Sequence, residues 1–549
     1  MNLDQCSRLS ELPIRRNSGF AVCIGIFCLL LGIPAAGQNR ASVSVDLGKA
    51  VNFLTDTSLG VPAPTFDGNS FNQAGAPYLR AAGITVVRFP GNHGVADLYH
   101  WSTKTTTRYK GAEAGYFAPE SSFPSFALFA EKLGQAVIVV NYGTNFDGDG
   151  GGEPAEAAAW VAYANGDASS AQSLGKDASG QDWHTVGYWA TMRGQAPLPV
   201  DDGFNFLRIE HPLPFGFKLW QIGDEVYNDG YYGGDHVGNP DLHGPAPTAL
   251  KDFGKLKGNP KLSPAAYADN LKLFAQAMKA VDPSIQIGAA LTIPPNPDPN
   301  NHDWAPDWNK EVLKNACPSI DYVTLEWSLQ PLLPPDWKTL DESSLLTNTY
   351  SSFSNILTPM LADYGKLCPK DHLPKFVFAP AGIATWEKVE HPEVRALWIA
   401  DTYAMLIESG SLNIAWNEMY GDSMLSGDRK SFGPAYYGFQ MLHILAHAPG
   451  DTLLNVSSST SMVGAHATFR RDGFVGLMLV NKDPKADAIV KVTFKNGTIG
   501  SAGKRIDYGS AQYKASAHVA VSPFTASGNE ITVTVPAYTV TDIILPRQN

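Results

Sequence analysis

Between residues 60 and 450, short apolar runs rich in β-branched residues alternate with longer segments of helical period, and few folds accommodate that alternation. The strand candidates are 84–89, 136–140, the apolar start of 218–230, 285–290, 321–326, 375–379 and 412–416. Helical patterns fall at 72–82, 125–133, 155–164, 264–281, 308–314, 345–364, 392–409 and 436–445. Gly83 and Gly410 close two of the helices, and Pro154 opens another at a first-turn position. Read as eight repeats, the pattern predicts an α/β fold, a (β/α)8 TIM barrel over residues 51–449. The Gly-, Asp- and Pro-rich stretches 165–215 and 231–263 read as long loops.

After Pro449-Gly450 the helical period disappears. Segments 461–469, 474–480, 488–494 and 530–535 are short and β-rich, separated by turn residues. They predict a C-terminal antiparallel β-sandwich over 450–549, joined by an alternating strand at 41–50 that precedes the barrel.

At the N-terminus, Arg15-Arg16 precede the apolar run 20–33 and the small-residue stretch Pro34-Ala35-Ala36-Gly37-Gln38. Residues 1–37 are therefore expected to be a signal peptide cleaved after Gly37, giving a secreted or periplasmic protein. A membrane anchor is the alternative, but the run is shorter than the roughly 20 residues a span needs. No stable membrane insertion is expected after cleavage. The remaining cysteines, Cys317 and Cys368, each precede a strand candidate and would lie at the same end of the barrel. A structural disulfide is expected there, with two separate buried thiols as the alternative.

Composition narrows the partners. A net charge of −12, from 41 basic and 53 acidic residues with no basic run, argues against nucleic acid. Aromatics at 11% suit stacking on sugar rings, although a large barrel buries most of its rings. Asp147-Gly148-Asp149-Gly150 begins like a calcium loop but lacks the later acid that would complete one. No metal, cofactor or phosphate loop is expected, and the oligomeric state is not readable from the sequence.

The stretch 218–230 carries the chemistry. Its apolar run ends abruptly in Gly223-Asp224-Glu225, as a buried parallel strand does when it delivers a carboxylate to a barrel mouth. Trp220-Gln221-Ile222-Gly223-Asp224-Glu225-Val226-Tyr227 resembles the acid/base strand of arabinofuranosidase-like barrels. Val87-Arg88-Phe89-Pro90-Gly91 resembles their strand two, Val140-Asn141-Tyr142-Gly143 their strand three, and 397–405 the helix after strand seven. The resemblance implies a clan of retaining glycosidases: α-L-arabinofuranosidases, β-xylosidases and heparanase-like β-glucuronidases. It also marks departures. Asp224 stands where the family has Asn, and Ala379 stands at the end of strand seven where the family carries its nucleophilic Glu. Two other acids, Glu326 in Thr324-Leu325-Glu326-Trp327 and Glu418 in Trp416-Asn417-Glu418, end strands six and eight.

Glycoside cleavage needs one protonated carboxyl to assist the leaving oxygen and one carboxylate to attack or to activate water. The resemblance assigns the acid/base role to Glu225. Glu326 is the first candidate for the second carboxylate and Glu418 the next. Arg88, Asn141, Asp224, Tyr227, Trp327, Trp416 and Asn417 form the expected sugar-contacting set, each with a purely structural alternative. The expected function is hydrolysis of O-glycosidic bonds in a polysaccharide or oligosaccharide. The missing strand-seven acid keeps a second reading open, a catalytically impaired barrel that binds carbohydrate.

Overall fold

The computed structural model describes residues 39–91, 93–108, 116–228, 230–232, 241–246, 255–293, 305, 307–328, 342–382, 390–417, 419–421 and 424–548. The expected signal segment and Glu418 lie outside these residues. Eight parallel strands close into a barrel in chain order: Leu59–Pro62, Val86–Phe89, Gln135–Val140, Leu219–Ile222, Gln286–Leu291, Tyr322–Ser328, Lys375–Gly382 and Asn413–Ala415. They are called barrel strands one to eight below. Strand eight closes on strand one through Ile414 opposite Leu59 and Ala415 opposite Gly60.

Most helices lie where the period predicts them. Pro264–Val281 is one: Ser263 accepts a hydrogen bond from the Ala266 amide, and Pro264 takes the first-turn position where a missing N–H costs nothing. Three elements differ from expectation. Barrel strand one is only Leu-Gly-Val-Pro, whose Gly and Pro read as a turn, yet all four residues are buried by the closing sheet. The expected loop 165–215 contains the helix Val186–Gly194, capped by the Thr185 side chain. The continuous helix expected at 345–364 is instead Glu342–Ser352, a π-helical turn Phe353–Leu357, and Thr358–Leu367. Pro359 has no N–H to continue the ladder, so the helix restarts around it.

Cys317 and Cys368 form a disulfide, with Cα atoms 5.6 Å apart. Each cysteine follows a helix and precedes barrel strand six or seven, so the bridge lies at the end of the strands away from their carboxyl ends.

The second sheet has ten strands, and Asn39–Phe53 sits inside it. It pairs antiparallel with Thr452–Ser458 and parallel with Ala488–Lys495, the one parallel pair in a sheet otherwise read correctly as antiparallel. Alternate residues such as Val43, Val45, Leu477, Val492, Val533 and Ile543 form its core, separate from the barrel core.

The barrel meets this sheet through a buried ionic cluster. Asp401, on the helix Val394–Glu408, lies 2.7 Å from Lys482 Nζ and 3.2 Å from His466 Nε2. His466 Nδ1 lies 2.8 Å from Glu408 Oε1, and the Lys482 ammonium sits 4.9 Å from the centre of the Tyr350 ring. Burial opposes charge on Asp401, but Lys482 and His466 hold its carboxyl below the usual range. Burial likewise opposes the His466 imidazolium, yet Glu408 and Asp401 push its pKa up to about 10.

Candidate active site

The inside of the barrel is built by alternation. Val86, Val137, Leu219, Tyr322, Val377, Ala379 and Ala415 form one buried cluster across the strands. Side chains two residues further along a strand point the same way, toward the carboxyl end of the barrel. From Val86 that step reaches Arg88, from Leu219 Gln221, from Tyr322 Thr324 and then Glu326, and from Ala415 Asn417. Arg88, Glu326, Ala379 and Asn417 line one cavity of about 440 Å³, together with Asp224 and Glu225.

Strand four ends in a sharp turn. Gly223 has φ +69°, where an added Cβ would lie 2.4 Å from Val226 Cγ2, so only glycine fits. Glu225 also has a positive φ, 49°, a conformation that costs a non-glycine residue on the order of 1 kcal/mol. That strained backbone carries the carboxylate expected to act as acid/base. On the neighbouring side, Gly91 ends the Arg-Phe-Pro-Gly segment because a Cβ there would sit 2.3 Å from the Ala63 amide. The close approach draws the loop after strand one against the loop after strand two, and both line the cavity.

A buried polar set fixes the turn. Arg88 donates to Asp224 Oδ1 in an ion pair whose side chains are 4% and 9% exposed. Gln221 Nε2 donates to the Gly223 carbonyl at 2.8 Å and to Asp224 Oδ1 at 3.3 Å, while Gln221 Oε1 accepts from Thr324 on strand six. Asp97 accepts from the Asp224 amide at 2.8 Å and from the Tyr142 amide at 3.1 Å, tying the ends of strands three and four together. Burial pushes the Asp97 carboxyl well above the usual range, and the nearby Asp224 and Asp241 charges add to the rise against those two amides.

Strand seven departs from regular pairing where it faces Glu326. Phe378 pairs with Leu325 but Ala381 with Trp327, so one extra residue is inserted around Ala379-Pro380. Such a bulge re-aims side chains at a barrel rim. Here it lies opposite Glu326, and Ala379 contributes only a methyl group to the cavity wall.

The expected set divides. The cavity brings together Arg88, Asp224, Glu225, Glu326 and Asn417. Asn141 is buried, where its side chain accepts from the Thr144 amide and donates to Thr144 Oγ1, bracing its own loop. Tyr227 belongs to the hydrophobic core beside Trp308. Trp416 has the opposite strand parity from Asn417 and packs outward against Trp398. The Trp327 side chain and Glu418 lie outside the described parts.

Four contributors were not anticipated. Asp97 and Gln221 support the turn, as above. Phe66 lies on the cavity wall while 58% exposed, and Tyr420 lines it with its hydroxyl donating to the Ser70 carbonyl at 2.9 Å. Phe66 sits in an irregular Pro-rich loop without a period to mark it. Gln221 was detectable, being a polar residue inside an apolar strand. Among the described residues, no group of three His, Cys, Asp or Glu side chains is placed to hold a metal.

No protein-family model and no curated protein matches the chain. Its structure, however, is similar to that of an α-L-arabinofuranosidase from Thermotoga maritima, with TM-score 0.64 and 15% identity over 92% of this chain and 100% of that one. The family 51 arabinofuranosidase from Xanthomonas axonopodis pv. citri gives TM-score 0.62 and 17% identity over 92% and 99% of the two chains. A family 44 endoglucanase from Clostridium thermocellum gives 0.57 and 12% over 92% and 100%. The resemblance read from the motifs therefore holds at the level of the fold, β domain included.

Proposed function

We propose that this protein is an exported glycoside hydrolase that cleaves O-glycosidic bonds of a polysaccharide or oligosaccharide with Glu225 and Glu326. The observation that carries the reading is that these two acids, from strands four and six, line one cavity with Arg88 and Asn417. Glu225 gives its proton to the leaving oxygen as the bond to the anomeric carbon breaks. The Glu326 carboxylate attacks that carbon or takes a proton from the water that does. Asp224, paired with Arg88, stands next to the acid in the chain. The N-terminal pattern and the Cys317–Cys368 bridge both suit an oxidising compartment outside the cytosol.

Ala379 favours a second reading, a barrel that binds sugar without cleaving it, because the strand-seven wall offers no nucleophile. Initial rates on a panel of nitrophenyl glycosides and plant polysaccharides, wild type against Glu225→Gln, separate the two. Hydrolysis that collapses in the variant supports the enzyme; saturable sugar binding with no product from the wild type supports the binder.

A further inference from the structure

We propose that Asp542 makes the seam between barrel and β domain sensitive to pH: docking encloses its carboxyl in the uncharged form, so the joint is tightest in acid and weakens as the pH rises. The placement of this one side chain carries the argument. Asp542 lies on the strand Thr539–Gln548, where Val540 and Ile544 belong to the barrel core and Ile543 and Leu545 to the core of the sheet. By that alternation Asp542 faces the barrel. It is fully buried, and its neighbours in register across the sheet are Met478 and Ile506. The helices Val394–Glu408 and Pro434–Leu445 pack over the strand. These strands and helices are described over their whole length. Among the described residues neither carboxyl oxygen of Asp542 has a hydrogen-bond partner.

A carboxylate in such apolar surroundings costs far more than taking up a proton. The charged groups around it do not reverse that. Asp507, on the strand Ala502–Gly509, repels a second negative charge and is itself held by Arg505 at 2.7 Å. The cations that act on Asp542 have other partners. His466 is paired with Asp401 and Glu408, and Arg470 with Asp472 at 2.6 Å and the Ile444 carbonyl at 2.7 Å. Lys482 lies against Asp401. On the helix Pro434–Leu445, burial lowers His443 to about 4, so it is neutral at higher pH and offers no counter-charge. Burial therefore dominates and raises the Asp542 carboxyl well above the usual range, with Asp507 adding to the rise and Arg470 and His466 opposing it. Below 3.8, the ordinary value, the acid is protonated folded or unfolded and contributes nothing to the pH dependence. Above it the unfolded chain releases the proton while the folded protein keeps it, so stability falls with rising pH until the folded pKa is reached. His466 contributes its loss between 6.5 and about 10, and Asp401 below 3.8, which leaves the interval between them to Asp542.

Denaturant titrations of the full chain from about pH 4.5 to about pH 6.5, on wild type, Asp542→Asn and Asp542→Leu, test this. One proton held only by the folded state changes the folding constant about tenfold per pH unit. The ratio of variant to wild-type folding constants should therefore grow about 100-fold across that interval. Because the growth of the ratio is read and not its size, any fixed cost of the substitution drops out. Either variant suffices: the first keeps the side chain's shape without its charge, and the second matches the apolar surroundings. Infrared difference spectra of the folded proteins give a second reading at about pH 6.5. Wild type minus Asp542→Asn should show the carbonyl stretch of a protonated carboxylic acid. A ratio that stays constant with pH, or a difference spectrum without that band, would overturn the proposal.

Discussion

The barrel mouth and the seam between barrel and β domain both bury ionised groups, but they balance them differently. At the seam two acids, Asp401 and Glu408, meet two bases, His466 and Lys482, with contacts of 2.7 to 3.2 Å. At the mouth, among the described residues, the Arg88 guanidinium lines the cavity with three acids, one acid stands on left-handed backbone, and a fourth carboxyl, Asp97, is held beneath with its pKa raised. A balanced, dry cluster holds two bodies together, and removing one member strands the others. A cluster of acids lining an open cavity is the setting that acid–base chemistry uses. The contrast separates residues that hold the fold from residues proposed to react.

The sharpest way to break the comparison is to remove one acid from each region. Glu225→Gln should lower kcat by roughly 10²–10⁴-fold while leaving Tm near the wild-type value, because it deletes a proton donor but keeps the side chain's shape and a hydrogen-bond acceptor. Asp401→Ala should do the reverse. It leaves Lys482 and His466 buried without their shared partner and should cost about 3–5 kcal/mol in denaturant titrations, with kcat per folded molecule preserved. A loss of kcat without a loss of stability in Asp401→Ala would erase the distinction.

Asp97→Asn tests the join between support and chemistry. An amide can accept from only one of the Tyr142 and Asp224 N–H groups and points a donor at the other. About 1–3 kcal/mol of stability should be lost, and kcat should fall more than KM rises, because the turn carrying Glu225 loosens. Equal kcat in wild type and variant, measured at a temperature where both are folded, would show that the tie does not reach Glu225.

The seam also has a pH signature. His466 is raised from 6.5 to about 10 in the folded protein, so its stabilising contribution is complete below pH 6.5 and is lost as pH rises through about 10. Asp401 is lowered from 3.8, so its contribution holds above that value and is lost as pH falls through its folded pKa. Tm should therefore decline on the alkaline side in wild type, and more shallowly in His466→Gln. Parallel curves would place the alkaline sensitivity elsewhere. The smallest effect is expected at the rim: Phe66→Ala should raise KM severalfold with little change in kcat, as loss of a stacking surface does, and an unchanged KM would remove Phe66 from the sugar's path.

The sequence made the fold legible wherever local and tertiary demands agreed. The helix Pro264–Val281 has its cap, its proline and its apolar stripe in place, and it was read to the residue. Barrel strand one was missed because its two turn-forming residues obey the closure of the sheet rather than local preference. The acids of the site could be found because a charge at the end of an apolar strand is conspicuous, which is how Glu225 and Glu326 stood out. Choosing between Trp416 and Asn417 needed the register of strand eight, and one residue of parity sends the first into the core and the second to the cavity. Asp97 left no trace, since a lone acid in a short turn looks like any solvated residue until two distant amides converge on it. The seam was equally hidden, its partners being brought together only by docking of the β domain.

We propose Glu326 on strand six as the second catalytic carboxylate, in place of an acid on strand seven, where Ala379 stands. Glu326→Ala assayed with and without sodium azide, on the best nitrophenyl glycoside, tests it most directly. A loss of at least about 10²-fold in kcat is expected, with azide restoring part of the rate and yielding a glycosyl azide. A Glu326→Ala protein that keeps the wild-type kcat without azide would contradict it.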